Sequence, residues 1–246
     1  MGGVLRFNPV NPMKTLSRYP LFIAIGALAA SRLCAGFQSF KVEPTYVPPL
    51  SPVLQMEGIT EGRVIFAIDV SAKGELTDSL LIGYTHPALV RPCWEALKQW
   101  KFTPATRDGQ PVGVQSELAI DYTAEGVVIS RSAMVDLDQH LGRMFGNRLT
   151  LARRSIDELD VAPRPISASM PRYALQAAKE GVRGTVRVHF YIDETGAVRM
   201  PSIEGDAHPY LSEMAVNAVK NWRFNPPISR GKPVLIAARQ DFNFNQ

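Results

Sequence analysis

Only two cysteines, Cys34 and Cys93, occur in this chain of 246 residues, so no disulfide framework can staple it. Histidine is nearly as scarce, with four copies. The nearest approach to a metal-ligand cluster is His140 with Asp136 and Asp138, an unspecific grouping. A glycine-rich phosphate loop is missing, and no nucleophile stands in a recognisable pattern with a base. These absences argue against an enzyme, and neither a cofactor nor a metal is expected. Acidic side chains are absent from residues 1–35, which carry Arg6, Lys14, Arg18 and Arg32. Those four account for the whole formal charge of +4, because the rest of the chain holds 23 side chains of each sign. Without a net field beyond that stretch, nucleic acid is not expected as a partner.

Long hydrophobic runs are lacking too. Tyr19 to Ala30 would span about 18 Å as a helix, against a hydrocarbon core of about 30 Å. Lys14 and Arg18 before this run and Ala35-Gly36 after it give the pattern of an export signal cleaved after Ala35. Residues 1–35 are therefore read as a signal peptide; left uncleaved, the same run would be an inner-membrane anchor.

What the chain does contain is the same pattern twice, at a constant offset of 122 positions. Gly62, Val64, Gly74, Gly83, His86, Pro87, Leu89, Ala96, Lys98, Trp100, Phe102, Pro104, Gly109, Pro111 and Val112 recur as Gly184, Val186, Gly196, Gly205, His208, Pro209, Leu211, Ala218, Lys220, Trp222, Phe224, Pro226, Gly231, Pro233 and Val234. A period this long is a whole small domain, so each copy should bury its own core.

Within a copy the periodicities change in a fixed order. Val186, Val188, Phe190 and Ile192 alternate with Thr185, Arg187, His189 and Tyr191, which predicts a half-buried strand. Val64, Phe66, Ile68 and Val70 repeat that alternation, with Ile65 the one apolar residue that breaks it. Turns at Gly74 and Gly196 lead into second strands, completing hairpins. His86-Pro87 and His208-Pro209 suit helix starts, where the missing proline N–H costs nothing. Leu211, Ala215, Ala218, Val219 and Trp222, like Leu89, Cys93, Ala96, Leu97 and Trp100, fall on one helix face. Cys93 aligns with Ala215 and reads as a small buried side chain. A last strand alternates as Val234, Ile236, Ala238, Gln240, Phe242 and Phe244, matched by Val112 to Tyr122. A short helix is expected over Tyr173 to Glu180 in the second copy, against proline-rich Pro48 to Pro52 in the first. Met134, Leu137, Leu141, Met144 and Phe145 predict a helix between the copies.

Pro171-x-Tyr173, Gly181-Val182-Arg183-Gly184-Thr185-Val186, Asp193-x-x-Gly196, Trp222-Arg223-Phe224-x-Pro226 and Gly231-Lys232-Pro233-Val234 resemble the TonB C-terminal domain family. The first copy resembles it through Gly62-Arg63-Val64, Gly74, His86-Pro87, Trp100-Lys101-Phe102-x-Pro104 and Gly109-Gln110-Pro111-Val112. The resemblance implies an α+β fold of two tandem domains, each a three-stranded antiparallel sheet on one main helix in the order β-β-α-β. The expected boundaries are 1–35 for the signal peptide, 40–125 for the first domain, 126–162 for a partly helical connector and 163–246 for the second domain.

It also implies a periplasmic binding module for another protein, the N-terminal peptide of an outer-membrane TonB-dependent transporter, to which inner-membrane energy is passed. The rival expectation is an envelope adaptor or scaffold that binds a different peptide, or itself, without energy transduction. In this family the peptide adds as a strand to the sheet edge, which here would use Val234, Leu235, Ile236, Ala237, Ala238 and Arg239. The preceding segment that contacts the partner falls on Pro171 and Tyr173.

Overall fold

A computed structural model describes residues 36–44, 46, 49–123, 126–132, 149–171, 181–205 and 207–244. Residues 1–35, expected as a signal peptide, the helix expected over Met134 to Phe145, and the one expected over Tyr173 to Glu180 lie outside them. A short helix α1 (Pro52–Met56) opens the first module, where the sequence suggested only a proline-rich segment; Pro52 sits in its first turn, where no N–H is needed. Strands β1 (Gly62–Val70) and β2 (Leu76–Tyr84) follow as a hairpin, then a 3-10 turn (Pro87–Leu89) running into helix α2 (Val90–Leu97), then β3 (Val114–Thr123). Pro92 lies in the first turn of α2, where its missing N–H leaves no helical bond unmade.

The connector then adds β4 (Gly126–Ser132), β5 (Thr150–Leu151) and β6 (Arg153–Arg154). The second module repeats the order with β7 (Thr185–Ile192), β8 (Val198–Glu204), α3 (Pro209–Lys220) and β9 (Leu235–Asn243). In each module the last strand returns antiparallel to the first, placing it beside the hairpin. The three-stranded expectation is exceeded because the connector supplies strands of its own. The first sheet runs β4-β3-β1-β2-β5 and the second β6-β9-β7-β8.

Each sheet buries one face under its helix. Val64, Phe66, Ile68, Leu118 and Ile120 pack on Leu89, Cys93, Ala96 and Leu97 in the first module. Val186, Val188, Phe190, Ile192 and Phe242 pack on Leu211, Ala215 and Val219 in the second. Cys93 is wholly buried, and burial pushes its thiol up to about 11, so it is an inert core side chain. His86 and His208 cap their helices, each ring nitrogen Nδ1 accepting the N–H two residues on, of Ala88 and Tyr210.

The tryptophans after the helices are anchored alike. Trp222 Nε1 donates to the Ser169 carbonyl at 2.8 Å, and Trp100 Nε1 to the Tyr46 carbonyl. Both acceptors lie in leading segments that also pair with the run after the helix, Lys41–Glu43 with Lys101–Thr103 and Pro165–Ser167 with Arg223–Phe224. Neither leading run carries a periodicity that announces these pairings in the sequence.

The two sheets meet through the faces turned away from their helices. Ile65, Ala67, Leu80, Ile82 and Ala119 of the first form one buried cluster with Tyr191, Met200 and Leu235 of the second. Ile65, which broke the alternation, is fully buried there. At its border Arg199 holds Asp78 of the first module through two nitrogens and Asp193 of its own module at 3.2 Å. Gln115 donates to the Pro201 carbonyl across the same seam.

Candidate peptide-binding edge

A strand is available for augmentation only where a row of its N–H and C=O groups has no neighbour. On β3 that row is already taken: β4 pairs with it continuously from Glu117 opposite Ser132 to Thr123 opposite Gly126. The edge of β9 differs. Phe244 N–H donates to the Gly184 carbonyl, which fixes the phase of the β7–β9 ladder. Antiparallel bonding alternates, so Phe242, Gln240, Ala238 and Ile236 point their main-chain groups into β7, and Leu235, Ala237, Arg239, Asp241 and Asn243 point theirs outward. The connector covers the beginning of this row, Arg153 pairing in parallel with Leu235 and Arg154 with Ile236. From Ala237 to Asn243 no strand covers it among the described residues.

The residues expected at the edge therefore have unlike surroundings. Val234 precedes the strand and donates its N–H to the Pro227 carbonyl. Leu235 and Ile236 lie beside β6, and Ile236 is wholly buried. Ala238 turns its side chain toward the core, while Ala237 packs against the cluster between the modules. Arg239 is left as the expected residue with both an outward main chain and an accessible side chain. Pro171 lines a shallow groove with Ser169, Met170, Met214, Asn217 and Asn221, and Tyr173 lies outside the described residues.

Asp241 and Asn243, at the open end, were not singled out from the sequence, although the alternation ran to Phe244. The covering strand β4 lies within residues 126–162, the stretch expected as a connector. Its signal is the β-branched run Val127-Val128-Ile129, which begins four residues after Thr123, the end of the preceding strand.

The face beside the open edge is charged. Arg187 grips Asp241 with two nitrogens at 2.7 and 3.1 Å, and His189 lies 2.6 Å from Glu204. Hydrogen bonding to Arg187 holds Asp241 below the ordinary carboxylate value of 3.8, and His189 does the same for Glu204 below 4.5. Asp193 is also lowered: burial opposes this, but Thr195, the N–H groups of Ala197 and Thr195, and Arg199 outweigh it. Asp69 is raised, chiefly by burial. Depressed carboxylates contribute stability that is present above their unfolded values and lost as pH falls through the folded ones; Asp69 works the other way. Thermal melts should thus change little above about pH 5 and fall below about pH 4, less steeply in Asp241→Asn. An unchanged slope in that variant would remove Asp241 from the account.

Among the described residues no group of His, Cys, Asp and Glu is placed to hold a metal, and no helix is long and apolar enough to cross a membrane. The family model of the Gram-negative bacterial TonB protein C-terminal matches residues 52–124 and 169–246, more than half of the chain. The chain belongs to the TonB C-terminal family. Protein TonB of Vibrio cholerae is 34% identical over 74 residues, which are 29% of this chain and 30% of that protein. The chain therefore spans less than a third of that relative's length. The solution NMR structure of the Pseudomonas aeruginosa TonB CTD is 29% identical and covers 35% of this chain and 87% of its own, at a TM-score of 0.30. Both of the TonB C-terminal segments carry the strand–strand–helix–strand order, and they differ in what lies on the last strand.

Proposed function

We propose that this chain is a tandem of two TonB-C-like modules in the periplasm, with a TonB-like role in energy transduction to outer-membrane transport. In this reading it is a binding protein and not an enzyme. The second module takes up an extended N-terminal peptide of an outer-membrane transporter as a further strand on β9. The observation that carries this is the outward row of Ala237, Arg239, Asp241 and Asn243, open among the described residues, in a member of this family. The first module works as the partner that holds the second, since β4 already fills its edge. Residues 1–35 supply export or an inner-membrane anchor. The filled first edge also favours a second reading, an envelope adaptor with a single capture site and no energy transduction.

The test is capture of transporter N-terminal peptides by the chain and by Arg239→Pro. Arg239 points its N–H outward, so proline there removes a ladder donor while leaving the bonds to β7 in place. Peptide retention should fall about tenfold or more, the loss of a ladder bond and of close approach together, with the melting midpoint within a few degrees of the parent. Undiminished capture by a folded Arg239→Pro chain would remove the edge from the mechanism. Ile236 is unsuited to this test, because its N–H serves the β7 ladder.

A further inference from the structure

The chain carries two versions of one edge, one filled and one open, and we propose that the filled version specifies the ligand of the open one. That ligand is an extended peptide running antiparallel to β9, with apolar residues opposite Phe244 and Phe242 and an acidic residue opposite Arg239. The inference rests on the edge-capture reading above and adds to it direction, register and side-chain chemistry.

The offset of 122 maps Glu117 to Tyr122 of β3 onto Arg239 to Phe244 of β9. In β3 this is the stretch covered by β4; in β9 it is the stretch beyond the cover of Arg153 and Arg154. The duplication therefore supplies a worked example of what lies on such an edge. Val127 stands opposite Tyr122 and Ile129 opposite Ile120, and both pack against the first core. Tyr122 and Ile120 correspond to Phe244 and Phe242, which belong to the second core cluster. A strand added in the same register brings every second side chain to that core side, so its residues opposite Phe244 and Phe242 should be apolar.

The two edges part at the other end. Glu117, opposite Ser132, is replaced by Arg239. Arg239 shares its face with Asp241, but that carboxylate is already gripped by Arg187 through two bonds. An acidic side chain directly across the pair from Arg239 is the complement this edge lacks. Reading the ligand from its N-terminus, the pattern is apolar, any, apolar, any, any, acidic.

The probe is the heptapeptide of Gly126–Ser132 carrying Ser132→Glu, titrated into the isotope-labelled full chain and followed by amide resonances. Shifts should centre on Arg239, Asp241 and Asn243, the outward residues that the heptapeptide faces in this register. The Ser132→Glu peptide should bind about two- to five-fold more tightly than its Ser132→Lys counterpart. Arg239→Glu should reverse that order, and Arg239→Gln should abolish it. A peptide with Val127→Ser and Ile129→Ser should lose binding about tenfold or more. A spin label on the peptide N-terminus should broaden Asn243 before Ala237. Equal affinity of the two charged peptides, indifference to the serine changes, or broadening at Ala237 first would overturn the assignment. If these probes leave β9 untouched while a transporter N-terminal peptide perturbs it, the ligand assignment fails and the edge reading stands. If neither peptide perturbs β9, both fall.

Discussion

Gly196→Ala should unfold the second module under conditions that leave the parent chain intact, with a loss of at least about 3 kcal/mol and a melting point more than about 10 °C lower. Two costs add. Gly196 has φ +83, where an L side chain is strained by about 1–2 kcal/mol. A Cβ built there would lie 1.9 Å from the Phe224 carbonyl oxygen, a backbone atom that no rotamer change can move aside. Relief requires the segment after α3 to retreat, which breaks the 2.9 Å bond from Phe224 N–H to the Gly196 carbonyl. It also lifts Phe224 from its packing on Phe190 and Trp222. Gly231→Ala separates the two costs: its φ is +72, but nothing lies within 4 Å, so about 1 kcal/mol is expected. Gly74→Ala should resemble Gly196→Ala, with the Phe102 carbonyl oxygen 2.2 Å away. Equal denaturant midpoints for Gly196→Ala and Gly231→Ala would show that the close approach contributes nothing.

That contact also marks the boundary of what the sequence could tell. Gly74 and Gly196 were legible as turn residues because turns are local, and the alternating strands and helix faces were legible for the same reason. What was missed is non-local. The pairing of Val42 with Phe102 joins residues far apart in the chain, and neither short run has a periodicity to read. Ile65 appeared as a flaw in an alternating strand, since the outward face of one module has no stated neighbour until the other is present. Strand β4 has a sound β-branched signal, yet it lies outside the repeated unit, and the repeat directed the domain boundaries. Side-chain pattern identified β9 as a strand through Phe244; whether its edge was free depended on where residues 126–132 and 153–154 settle, which no local pattern encodes.

The cluster between the sheets gives the other large expected effect: Tyr191→Ala should uncouple the modules by about 3–5 kcal/mol without dismantling either core. Tyr191 is 3% exposed, and its side chain lies in the shared cluster and not beneath α3. The seam is electrostatically complementary as well. Asp69 and Asp78 stand directly opposite on β1 and β2, an arrangement that is unfavourable within a single sheet. Arg199 of the second module answers it by binding Asp78, so the first sheet tolerates the pair because the second module is seated there. Calorimetry should therefore give one cooperative transition for the parent chain and two for Tyr191→Ala. Ile65→Ala, which empties the opposite side of the same seam, should act similarly, and the double variant should cost less than the sum of the two. Since Leu235 belongs to the cluster and pairs with Arg153, loosening the seam should also speed hydrogen exchange at Leu235 while Phe190, inside the second core, stays protected. Strict additivity of the two substitutions, or a single undivided transition in Tyr191→Ala, would mean that the modules are not held together by this surface.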